Sequence, residues 1–158
     1  MPRPGLLTAT LLTLAIAAPL WGAGEATKAD MEIVRDAIRA NKKALVSANV
    51  TLTDEEAARF WPVYDRYQKQ LAAVNDRFAK VLTDYAASFE DLSNEQALKL
   101  AKDYQTVEED RLKVRRAYLA ALEKVLPGRK AVRVYQIENK IDAVVRYDLA
   151  TEIPVVKE

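Results

Sequence analysis

Between Ala57 and Tyr85 the apolar residues recur at alternating steps of three and four: Ala57, Phe60, Tyr64, Tyr67, Leu71, Val74, Phe78, Val81 and Tyr85. That period predicts one long helix with a single apolar seam and polar residues around the rest of its circumference. Leu52 and Thr53 precede the seam and Glu56 follows three residues after Thr53, the signature of a capping box that opens a helix. At about 1.5 Å per residue the helix reaches roughly 50 Å, so it needs a second long helix, or a second copy of the chain, to cover it. Pro62 falls inside the pattern. The seam keeps its phase from Phe60 to Tyr64, which predicts a kink at the proline rather than a break between two helices.

A second capping box, Ser93 with Gln96, opens another apolar run: Leu100, Ala101, Tyr104, Val107, Leu112, Val114, Tyr118, Leu119, Leu122, Val125 and Leu126. Two stripes overlap there, giving a wider face that Glu108, Arg111 and Arg115 interrupt. The two long patterns match in length and are expected to form an antiparallel hairpin joined near residues 88–93. Pro127 and Gly128 close the second. A fourth helix follows from Arg129 to about Ala150, with Val134, Ile137, Ile141, Val144, Val145 and Leu149 marking its buried side.

At the other end, residues 28–46 give a short first helix whose apolar face thins at Asn41 and Lys42, so it is expected to pack along its first half. Beyond Ala150, Pro154 stops helix, and Ile153, Val155 and Val156 form either an extended strap or a free peptide. The expected fold class is all-α, a long antiparallel helical hairpin with a short N-terminal helix and a fourth C-terminal helix, dimerising through the long helices.

Composition narrows the chemistry. The 158 residues contain no cysteine and no histidine, which removes a thiolate nucleophile, a His-based triad, a disulfide and an imidazole metal ligand. Acids and bases nearly balance, 23 against 24, so nothing favours a nucleic acid as partner. No catalytic residue, cofactor or metal site is expected. Acidic runs such as Glu108, Glu109 and Asp110, or Asp54 and Glu55, point to different faces of a helix and do not converge.

Residues 1–26 read as an export signal: Arg3, then an uncharged apolar run from Leu6 to Leu20, then the small residues Gly22, Ala23, Gly24 and Ala26. That run is too short for a confident membrane span. Residues 27–158 would then be a single helical domain in the periplasm or outside the cell, with no stable membrane insertion after cleavage.

Two groups of residues are candidates for protein binding. Phe60, Trp61 and Tyr64 form the densest aromatic cluster, and either fill a core where helices meet or, through Trp61 beside the seam, offer an apolar contact to a partner. Arg111, Arg115, Arg116, Arg129, Lys130 and Arg133, with Lys113 and Lys124, are opposed only by Glu123, and are either a solvated helix surface or a basic patch for acidic segments.

The two caps, Leu52-Thr53-Asp54-Glu55-Glu56 and Leu92-Ser93-Asn94-Glu95-Gln96, resemble the LTxxQ motif of the Spy/CpxP family of periplasmic stress proteins. Ser93 stands for the family's threonine and Glu56 for its glutamine. Leu126-Pro127-Gly128-Arg129-Lys130 opens the last helix in a similar place, and Ala57, Ala97 and Ala131 each lie five residues after their leucine. The resemblance covers most of residues 30–150. It implies a four-helix, hairpin-based subunit that dimerises into a curved cradle and acts as an ATP-independent chaperone, an inhibitor of envelope stress sensors or a metal-responsive sensor. The histidines that the metal-responsive branch would use are absent. The expected function is therefore a periplasmic chaperone or adaptor that holds partly unfolded clients on an amphiphilic helical surface. The alternative is a regulatory or structural partner of one envelope protein such as a sensor kinase.

Overall fold

Thr53 and Ser93 start the two long helices by the same device. Each hydroxyl accepts from the amide three residues on, and the Glu56 or Gln96 side chain accepts from the cap residue's own amide, so both capping boxes are closed. The computed structural model describes residues 40–157, and the proposed export signal and the first part of the first helix lie outside them. We label the described part of the first helix, residues 40–49, α1. It is followed by α2 (Asp54–Ser88), a single 3₁₀ turn (Phe89–Asp91), α3 (Asn94–Val125) and α4 (Gly128–Glu152). The described residues contain helices and no strand.

Helix α2 runs through Pro62 without interruption. Pro62 and Ala58, whose carbonyl loses its partner, are both exposed, so water can take the place of the missing amide. The seam faces inward. Phe60, Tyr64, Tyr67, Leu71 and Val74 are buried, while the two ends of the series, Ala57 and Phe78 to Tyr85, are only partly covered.

Helices α2 and α3 form the antiparallel hairpin, and cross-contacts recede from the turn in step on both arms: Phe78 against Tyr104, Asn75 with Arg111, Tyr67 stacked on Tyr118. Helix α4 then returns along the hairpin, parallel to α2. Lys130 reaches Glu56 near its start, Glu138 meets Tyr64 and Gln68, and beyond its end Pro154 accepts from Tyr85. Helix α1 lies antiparallel to α4, with Lys42 on Glu138 and the Asn49 carbonyl on Arg133.

This topology places the core at one end of the hairpin. Val46 and Val50 from α1, Phe60, Tyr64, Tyr67 and Leu71 from α2, Tyr118 and Leu122 from α3, Leu126, and Ala131 and Val134 from α4 make one buried cluster. Two expectations are corrected here. Packing of the first helix is not confined to its first half, most of which lies outside the described residues: α1 packs at its last turn, where Val46 is fully buried. Val144 and Val145, assigned to the buried side of α4, are 61% and 52% exposed, because the four-helix part of the fold ends before them.

The caps carry a testable consequence. Thr53→Ala and Ser93→Ala are each expected to lower stability by about 1 kcal/mol, measured by urea unfolding. At Glu56 the hydrogen bond from Lys130, and next the Thr53 amide, hold the carboxyl below its ordinary value of 4.5. A carboxyl depressed in the folded state stabilises above its unfolded value, and the contribution is lost as pH falls through the lowered folded value. Glu56→Gln should therefore narrow the stability difference between pH 6 and the acid range, and an unchanged slope would show that the Glu56 carboxyl does not contribute to it.

Candidate functional site

Helix α4 carries Val134, Glu138, Ile141 and Val145 at steps of four, three and four, which puts a carboxyl group in the middle of its apolar stripe. Glu138 is 3% exposed and is the hub of a polar cluster inside the helical end of the fold. Its Oε1 accepts from the Tyr64 hydroxyl at 2.7 Å and from Gln68 Nε2 at 3.0 Å, and its Oε2 pairs with Lys42 Nζ at 3.2 Å. Three helices are joined through one side chain. The neighbouring tyrosines respond to the same environment: burial first, and next the Glu138 charge, push the Tyr64, Tyr67 and Tyr118 hydroxyls well above the usual phenol range. These hydroxyls stay protonated at any physiological pH, and that of Tyr64 serves as a donor to Glu138. The Tyr118 hydroxyl is buried with no hydrogen-bond partner, against the flat stack its ring makes with Tyr67 at 3.8 Å.

A second polar cluster lies further along the hairpin. Arg111 occupies an inward position of α3, four residues after buried Val107, and is 4% exposed. It donates to Asn75 of α2 at 2.9 Å and faces Glu108 and Asp142, while Arg115 approaches Asp142 at 3.6 Å. Arg146 of α4 closes the set with Glu108 at 2.7 Å and Asp142 at 3.0 Å. Three guanidinium groups and two carboxylates thus alternate across α3 and α4. Each carboxylate faces two or more guanidinium groups, so the cluster joins α3 to α4 and keeps one positive charge in excess.

The sequence candidates fall into separate environments. Phe60 and Tyr64 are buried in the core, and Arg111 in the ion cluster, so none of the three offers a surface to a partner in this fold. Trp61 packs at the core edge, with the Lys43 ammonium 4.9 Å from its ring centre. The basic group does not form a patch: Arg115 turns to Asp142 and Tyr135, Lys130 to Glu56 at 2.6 Å, and Arg133 to the Asn49 carbonyl. Arg116, Arg129 and Arg133 remain exposed. The acidic run divides as well, Glu108 facing Arg146, and Asp110 facing Arg77 and Lys113.

Sequence reasoning missed Glu138, Gln68, Asp142 and Arg146. A signal was present for the first two. Glu138 falls in phase with Val134 and Ile141, and Gln68 in phase with Tyr64 and Leu71, so a polar residue interrupts an apolar stripe at the same level on two helices.

Among the described residues no group of three or more aspartate or glutamate side chains could hold a metal ion, and no helix is long and apolar enough to cross a membrane. The fold and its polar clusters define an all-α protein whose buried charged groups tie helices together, with Glu108, Arg111 and Arg115 also lining an open hollow of ≈ 420 Å³. No family model, curated protein or solved structure matches the chain.

Proposed function

We propose that the chain binds other proteins, as a periplasmic ATP-independent chaperone or adaptor of the Spy/CpxP type, with no catalytic step of its own. The observation that carries this reading is the uncovered second half of α4. Val144, Val145 and Tyr147 are all more than half exposed, on a helix whose first half buries Ala131 and Val134 completely. Tyr104 and Leu112 of α3 add exposed apolar area. Large apolar side chains left open on a rigid helical frame suit a partner that supplies the missing cover, such as an unfolded segment or a second copy of the chain. The narrower reading, a regulator docked through a basic patch, keeps Arg116, Arg129 and Arg133 as exposed guanidinium groups, since Arg111 and Arg115 are engaged internally.

The test is light scattering of a chemically denatured client on dilution, without ATP and at two salt concentrations. Suppression near stoichiometric protein is the expected result, with little salt dependence. Val144→Ser, Val145→Ser and Tyr147→Ser together should leave stability nearly unchanged, within about 1 kcal/mol, because the positions are exposed. The same triple change should raise severalfold the concentration needed for half suppression. Unaltered suppression by the folded triple variant would remove α4 as the binding surface.

A further inference from the structure

Helix α4 ends at Glu152, short of the hairpin tip, so no third helix covers the tip. The side chains of Val81, Leu82, Tyr85, Leu92, Leu100 and Ala101 therefore line an open apolar groove of ≈ 200 Å³ at the tip. What lies on it is the segment Ile153–Lys157. Pro154 prevents α4 from continuing, the backbone turns extended at Ile153, and the chain reaches the tip by three contacts. The Tyr85 hydroxyl donates to the Pro154 carbonyl at 2.8 Å, Val156 forms part of the groove wall, and Lys157 Nζ meets Glu90 at 2.6 Å while lying 5.0 Å from the Phe89 ring centre.

The tip is acidic. Glu90 and Asp91 occupy the 3₁₀ turn, Glu95 opens α3, and neither the last turn of α2 nor the 3₁₀ turn holds a base, so Lys157 answers a local excess of negative charge. The seat is also loose. Val155 is 88% and Val156 48% exposed, and both members of the Lys157–Glu90 pair are mostly in water, where such pairs contribute little.

We propose that the hairpin-tip groove is a docking site for an extended apolar peptide segment followed by a basic residue, and that Ile153–Lys157 occupies it in cis and must be displaced. The bound segment shows the chemistry the groove accepts: a backbone carbonyl for Tyr85, a β-branched side chain for the apolar wall, and a cation for Glu90. The proposal rests on the protein-binding reading above and gives it a second, separable site. A competitor held in cis lowers apparent affinity by the fraction of time the groove is open.

The probe is a fluorescently labelled peptide of residues 152–158, titrated by anisotropy against the full chain and against Val156→Asp/Lys157→Glu, which repels the internal segment from the tip. Both changed positions are exposed, and circular dichroism verifies the fold. The double variant is expected to bind the probe about fivefold or more tightly than the unmodified chain. Adding Ala101→Lys, at an exposed groove position, should abolish that gain, and a probe with glutamate in place of its lysine should bind neither chain. Equal binding to the two chains, or a gain that survives Ala101→Lys, overturns the proposal. Client suppression measured on the same proteins separates the two readings. Suppression without a gain in probe binding removes the tip groove and leaves protein binding intact, whereas a gain without suppression retains the groove and removes the chaperone.

Discussion

Glu138→Ala is expected to destabilise the protein by about 3 kcal/mol, a cost out of proportion to the atoms removed. Alanine leaves the Tyr64 hydroxyl and the Gln68 amide buried without their acceptor, and strands Lys42, which is mostly buried too, without its counter-charge. Glu138→Gln separates the two parts of the effect. It keeps an oxygen for Tyr64 and Gln68 but withdraws the partner of Lys42, and should cost about half as much. Urea unfolding of the two variants measures both, and a loss below about 1 kcal/mol for Glu138→Ala would mean that water enters and replaces the carboxylate. Lys42→Met in the Glu138→Gln background should then restore part of the stability, since removing both charges leaves neither one buried alone.

Phe60→Ala should cost about 3 to 5 kcal/mol, whereas Trp61→Ala, one residue along, should cost roughly 1 kcal/mol despite the larger side chain. Phe60 is fully buried among residues from all four helices, so its removal leaves a cavity that the four-way junction cannot close. Trp61 sits at the edge of the same cluster, with one face toward Lys43 and solvent able to fill the space it leaves. The contrast is read by thermal and urea unfolding of the two variants. Equal costs would place Trp61 inside the core. Because Phe60 and Tyr64 are structural, loss of client binding in their variants would report unfolding, which is why the exposed positions Val144, Val145 and Tyr147 are the informative ones.

Much of the secondary structure was legible because it depends on local rules. Capping boxes at Thr53 and Ser93 involve residues only three apart, and the α2 seam follows from helical period alone, so both could be read without knowing what lies opposite. Continuity of α2 through Pro62 was legible for the same reason, since the phase of the seam on its two sides is a local property. The stop at Pro127-Gly128 and the hairpin followed from composition and matched lengths.

What the sequence could not contain was which apolar stripe would find cover. Val134 and Val144 carry the same chemistry on the same helix, yet one is fully buried and the other 61% exposed, because α1 and the first half of α2 reach only the first. Charge behaved in the same way. Arg111, Arg115, Lys130 and Arg133 form a basic run in the chain, and only the return of α4 along the hairpin turned Asp142, Glu56 and the Asn49 carbonyl toward them. The sequence by itself determined the helices, their starts and stops, and the inward side of α2, since these rest on interactions within a few residues. Tertiary structure alone decided that Glu138 is a buried joint, that four members of the basic run are internally paired, and that the far half of α4 and the hairpin tip lie open. Those outcomes depend on partners up to 96 residues away, as Lys42 and Glu138 are, and pairing at such range is set by packing geometry that no local pattern encodes.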